Sequence, residues 1–161
     1  MCIRDRFKIE PIDGMHTALE GTIGEVLDDG NPVASENIQS RLRGIIVMAH
    51  ANAQNRMAIA TGNKSELAQG YCTLYGDMAG GYTPLGDLYK MQVYALAEIF
   101  NQRAIELGDM PPVNESTMTK PPSAELAPDQ KDEDSLPPYE ILDEILRLHI
   151  EHTMDLSLIH I

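Results

Sequence analysis

Apolar and polar positions alternate weakly over 7–13 (FKIEPID), which predicts a strand. Residues 15–27 suit a short helix, weakened by Gly21 and Gly24. Asp28-Asp29-Gly30-Asn31-Pro32 has turn chemistry and reads as a loop. The clearest periodic segment is 35–55. Ser35 is placed to cap it, and Glu36 suits the positive end of the helix dipole. Ile38, Leu42, Ile45, Ile46, Ala49 and Ala53 form one apolar stripe at helical spacing. Asn37 and Arg41 are four apart and share a face beside it. The apolar run 57–61 (MAIAT) predicts a short strand. It ends at Gly62-Asn63, and Asn63 with Glu66 has the spacing of a capping box. A strand, a tight turn and a helix N-terminus in succession are the usual place for a ligand in α/β folds.

Residues 70–89 are rich in glycine and keep no period, so they predict a long structured loop. Over 90–107 the pattern is that of an amphipathic helix burying Met91, Tyr94, Ala95, Ile99 and Phe100, with Gly108 as its stop. Prolines crowd the stretch 109–138, and charge dominates Asp129 to Asp134, which predicts a mobile, solvated segment. A last helix runs from about Pro138 to His152, with the proline tolerated in its first turn. No internal repeat is visible.

Composition narrows the class of protein. Lys and Arg number 12 against 25 Asp and Glu, a net charge of −13, which argues against a broad basic face for nucleic acid. Apolar residues are 43% of the 161, enough for a core. With Trp absent and only two Phe, that core must rest on aliphatic residues and Met. No run approaches the ~20 apolar residues that span a bilayer, and no secretory pattern opens the chain. Two cysteines, Cys2 and Cys72, make neither a disulfide framework nor a zinc cluster and suit a cytoplasmic location. The terminal hexapeptides 1–6 and 156–161 read as non-native ends, leaving 7–152 as the C-terminal part of a domain and the chain as a fragment.

Three blocks carry the chemistry. They are Glu36-Asn37-Ile38-Gln39-Ser40-Arg41-Leu42-Arg43-Gly44, then Thr61-Gly62-Asn63-Lys64-Ser65-Glu66, then Leu74-Tyr75-Gly76-Asp77-Met78-Ala79-Gly80-Gly81. In this order and spacing they closely resemble the synthetase domain of NAD synthetase, over about Phe7 to His152. The wording from Leu74 to Gly81 resembles the glutamine-dependent, two-domain type. The resemblance implies an α/β, adenine-nucleotide-hydrolase-like (Rossmann-like) layered fold of the ATP pyrophosphatase group. Here it would be incomplete, without the early strands and the Ser-Gly-Gly-X-Asp-Ser pyrophosphate loop. It implies a ligase that adenylates the carboxylate of nicotinic acid adenine dinucleotide (deamido-NAD) with ATP, then lets ammonia from glutamine displace AMP to form NAD. ATP, Mg²⁺ and deamido-NAD are the ligands it implies. A glutaminase domain and a homo-oligomer are the partners. The fragment alone is expected to be inactive.

Carried over by position, Thr61, Lys90 and Ser123 match ATP-contacting residues, and Asn37, Arg41 and Glu66 match deamido-NAD contacts. In ammonia-dependent relatives the position of Glu66 resembles a Mg²⁺ ligand. Leu74 and Gly81 stand where those relatives carry a lysine and an aspartate. Plainer roles compete for the same residues. Asn63 and Glu66 suit a helix cap, Asn37 and Arg41 a solvated helix face, and Lys90 a surface lysine. Tyr71, Tyr75 and Tyr82 read as packing within their loop, Cys72 as a buried filler, and His149 with His152 as a surface pair. The alternatives for the whole are a GMP-synthetase-like ATP pyrophosphatase and a non-catalytic acidic interaction module.

Overall fold

The computed structural model describes residues 7–27 and 31–159. Expectations for 1–6, for Asp28 to Gly30 and for the last two residues therefore lie outside the described residues. Six α-helices occur among them: α1 (Asp13–Leu27), α2 (Pro32–Ala53), α3 (Lys64–Gln69), α4 (Lys90–Glu106), α5 (Glu115–Thr119) and α6 (Tyr139–Ile150). The chain divides into two units. The first holds residues 1–60 and 73–82, the second 61–72 and 83–161.

In the first unit α1 packs on α2, and α1 is kinked at Ile23. Helix α2 starts four residues earlier than Ser35 implied. Asn31 caps it by accepting from the Val33 amide at 3.0 Å, and Pro32 opens its first turn. A proline at that position costs no hydrogen bond and already has helical φ. The buried residues of α2 are Ser40, Leu42, Gly44 and Ala51. Of the expected stripe Leu42 is buried, Ile38 and Ile46 are half-buried, and Ile45, Ala49 and Ala53 are exposed. Close packing against the glycine-rich loop selects the small residues instead. A Cβ on Gly44 would stand 2.6 Å from the Tyr75 carbonyl oxygen, and the Ser40 hydroxyl accepts from the Asp77 amide at 3.0 Å.

The two expected strands do not form ladders. Residues 7–12 are irregular, with Phe7 and Ile9 exposed. Alternation alone cannot hold a strand without a partner to hydrogen-bond. The run at 57–61 forms one isolated parallel bridge, Ile59 with Tyr82. The Ala60 amide donates to the Tyr82 carbonyl and the Gly81 amide to that of Ala58. Its side chains still alternate, since Ala58 and Ala60 are buried while Met57 and Ile59 are exposed. Gly80 lies so close that a Cβ there would be 2.6 Å from the Ala60 nitrogen. The layered α/β expectation is thus met only at this bridge among the described residues. Tyr75 and Tyr82 do not fill the loop but are exposed. Tyr75 sits at a positive φ of 63°, in a turn.

In the second unit α3, α4 and α6 pack on one another. Tyr89, Tyr139, Leu142 and Leu146 form the core, joined by Met91 and Leu136. Only part of the expected face of α4 is covered: Met91 and Tyr94 are half-buried, Ala95 is exposed, and Ile99 and Phe100 are 61% and 57% exposed. Helix α6 has 12 residues against 17 in α4, so at 1.5 Å per residue it falls roughly 8 Å short of its neighbour's length. Gly108 at φ 77° follows α4 as expected. The stretch from Glu125 to Asp134 is not uniformly solvated. Its Asp132 is buried, opens a short 3-10 turn, and donates its amide to the Pro122 carbonyl.

Candidate functional site

The second unit concentrates charge at the start of α3. Asn63 caps the helix, its side-chain oxygen accepting from the Glu66 amide at 3.0 Å. Glu66 returns the bond through Oε2, which accepts from the Asn63 amide at 3.1 Å. The capping box read from the spacing is present. It uses only one carboxylate oxygen. The other, Oε1, accepts from Lys90 Nζ at 3.0 Å, with the two side chains 20% and 18% exposed. The Lys90 ammonium also stands 5.1 Å from the centre of the Tyr139 ring, which presents its negative face to the cation. Thr61 is exposed two residues before the cap.

Neighbouring groups support this corner. Lys64 turns to Glu151 at 2.9 Å and to Asp87 at 3.6 Å. That leaves Lys90 as the cation paired with Glu66. The Lys64 bond holds the Glu151 carboxyl below the usual carboxylate range. The Tyr139 hydroxyl donates to Asp132 Oδ2 at 2.7 Å within the interior. Burial first, then that bond, push the Tyr139 phenol well above the ordinary value of 10. A folded pKa above the unfolded one means that stability falls as pH rises past about 10. Spectrophotometric titration of a Tyr139→Phe variant is therefore expected to superimpose on that of the native chain until alkaline unfolding. Loss of one tyrosine's amplitude near the ordinary phenol value contradicts this. Ser123, half-buried, accepts from the Glu125 amide through its hydroxyl at 3.0 Å. Its neighbour Pro122 is tied to Asp132, and Asp132 to the ring beneath Lys90.

The first unit holds the other two expected residues. Asn37 Oδ1 accepts from the Thr73 hydroxyl at 2.7 Å. Arg41 Nε donates to the Leu74 carbonyl at 3.2 Å, and the residue is exposed. Both side chains thus brace the glycine-rich loop rather than standing on a bare helix face.

A family model, NAD synthase, matches residues 2–160. The chain belongs to the NAD synthase family. It is 51% identical over 146 residues to a glutamine-dependent NAD(+) synthetase of Rhodobacter capsulatus, covering 87% of this chain and 26% of that protein. It is 44% identical over 152 residues to the enzyme of that name from Thermotoga maritima, covering 94% and 26%. Among solved structures it resembles the glutamine-dependent NAD+ synthetase of Acinetobacter baumannii in complex with ADP, with a TM-score of 0.62 and 35% identity, covering 89% of this chain and 24% of that one. The chain spans about a quarter of the length of the curated NAD synthetases it matches. That structural neighbour is thus an NAD synthetase, while the chain itself shows helices and one bridge among its described residues.

Among the described residues no group of three or more His, Cys, Asp or Glu is placed to hold a metal. Glu66 is a single carboxylate already bonded through both oxygens, to the Asn63 amide and the Lys90 ammonium, so a Mg²⁺ beside it would be held mainly by nucleotide phosphates and water. His149 and His152 are exposed and bond to the Met154 carbonyl and to Arg147 respectively, as a surface pair would. Cys72 is half-buried. No helix among the described residues is long and apolar enough to cross a membrane.

Sequence reading missed Ser65, Asp132, Tyr139 and Asp143. One signal was available for the last. Tyr139, Leu142, Asp143 and Leu146 share the buried face of α6, so a carboxylate interrupts an apolar stripe. A charge at such a position needs partners.

Proposed function

We propose that this chain is part of a longer glutamine-dependent NAD synthetase, and that the corner at Glu66 and Lys90 faces the nucleotides. In the reaction a carboxylate oxygen of deamido-NAD attacks the α-phosphorus of ATP and pyrophosphate leaves. Ammonia, supplied from glutamine by a glutaminase domain, then attacks the acyl carbon, and AMP leaves with the bonding electrons. The observation that supports this reading best is the Lys90–Glu66 pair beside the Asn63 cap. Simple capping does not require a lysine on the second oxygen.

Lys90 is suited to phosphate charge, and Thr61 and Ser123 supply hydroxyls for ATP. Asn37, Arg41 and Glu66 are assigned to deamido-NAD. Mg²⁺, which Glu66 would help to hold, offsets phosphate charge when bound. An acidic chain that takes two polyanions needs such local cations. We place the enzyme in the cytoplasm as a homo-oligomer. With the full-length protein, pyrophosphate release from ATP is expected to require deamido-NAD, with ammonia or glutamine completing the conversion to NAD. Release that depends on xanthylate instead, or none with deamido-NAD, overturns the reading.

A further inference from the structure

Beneath the charged pair lies a second polar pair sealed from water. Ser65 is 0% exposed and Asp143 is 8% exposed. The Ser65 hydroxyl donates to Asp143 Oδ1 at 2.5 Å and accepts from the Lys90 amide at 2.9 Å. Asp143 Oδ2 accepts from the Met91 amide at 2.8 Å. Lys90 and Met91 open α4, where backbone amides have no partner within the helix. Tyr89, the residue before them, does not cap them with its side chain, and its own amide donates to Gln92 Oε1 at 2.9 Å. A serine from α3 and a carboxylate from α6 do that work instead. The carboxylate also lies at the positive end of the helix dipole.

Local capping would have been simpler, as Asn63 shows for α3. Burying a carboxylate is costly unless every oxygen is bonded, and here both are. What the arrangement adds is registration. Ser65 directly precedes Glu66, and its hydroxyl holds the amide of Lys90. One buried contact therefore fixes the backbone origins of both members of the ion pair.

We propose that Ser65 and Asp143 are positioning residues that act through the Lys90 backbone to hold its ammonium, beside Glu66, in place for ATP. This rests on the reading of Lys90 as an ATP contact, so the test separates the two. In the full-length enzyme, KM for ATP and kcat are measured for Lys90→Ala, Asp143→Asn, Ser65→Ala and the doubles D143N/K90A and S65A/K90A. Asparagine keeps the shape of Asp143 but cannot accept at both positions. Asp143→Asn is expected to raise KM for ATP about tenfold, the effect of one charge-assisted hydrogen bond. In the Lys90→Ala background the same change is expected to add less than about twofold, because the side chain it positions is gone. A merely structural cap would act equally in both backgrounds. Full additivity, or an unchanged KM in both Asp143→Asn and Ser65→Ala, overturns the proposal while leaving the lysine its role. An unchanged KM for ATP in Lys90→Ala overturns the lysine reading and the proposal with it. Should Asp143→Asn fail to fold, Ser65→Ala carries the same comparison, since it removes one oxygen and adds no volume.

Discussion

Glu66→Ala in the full-length enzyme is expected to lower kcat/KM for deamido-NAD by about a hundredfold, the scale of losing a charged contact made to the reacting ligands. Three things disappear with that carboxylate: the returning half of the capping box, the partner of Lys90, and the assigned substrate contact. Glu66→Gln separates them. Its amide oxygen can still accept from the Asn63 amide, so the cap survives, while the charge opposite Lys90 is lost. A residue that only capped a helix would leave the glutamine variant with native kinetics. The site reading predicts that Glu66→Gln retains the stability of the native protein and still loses at least about tenfold in kcat/KM. Native kinetics in Glu66→Gln would return the residue to a purely capping role.

The largest effect on stability is expected at Leu142. It is 3% exposed and lies within the cluster of Tyr89, Tyr139 and Leu146. Leu142→Ala removes three carbons and leaves a cavity between aromatic rings that cannot readily close over it. A loss of about 2–5 kcal/mol is expected. Urea unfolding of the chain measures it as a lower midpoint with an unchanged slope. Ile141, next in sequence but 40% exposed on the other side of α6, is the control. Its alanine variant should lose less than about 1 kcal/mol. Equal losses at the two positions would mean that α6 does not bury the face described here. Because Asp143 rides on that same helix, Leu142→Ala also loosens the support under Lys90.

Helix positions were largely legible because their signals are local. The Asn63–Glu66 box, the stop at Gly108 and the proline that opens the last helix depend on neighbours within a turn. Burial along α2 was only partly legible, for Leu42 of the apolar stripe is buried but the small residues Ser40 and Gly44 meet the glycine-rich loop. That preference comes from backbone approach, which periodicity does not record. The expected strands needed partners outside their own segments, and MAIAT finds only one bridge.

From its residues alone this chain declared its family and the cap at Asn63 and Glu66. Those features are carried by contiguous words and short spacings. Tertiary structure decided which charges meet. Lys90 reaches Glu66 across 24 residues, and Asp143 reaches the start of α4 across 52. Desolvation is the reason. A carboxylate can sit at 8% exposure only where the fold brings amides and a hydroxyl to both of its oxygens. No linear pattern states that such donors will be there.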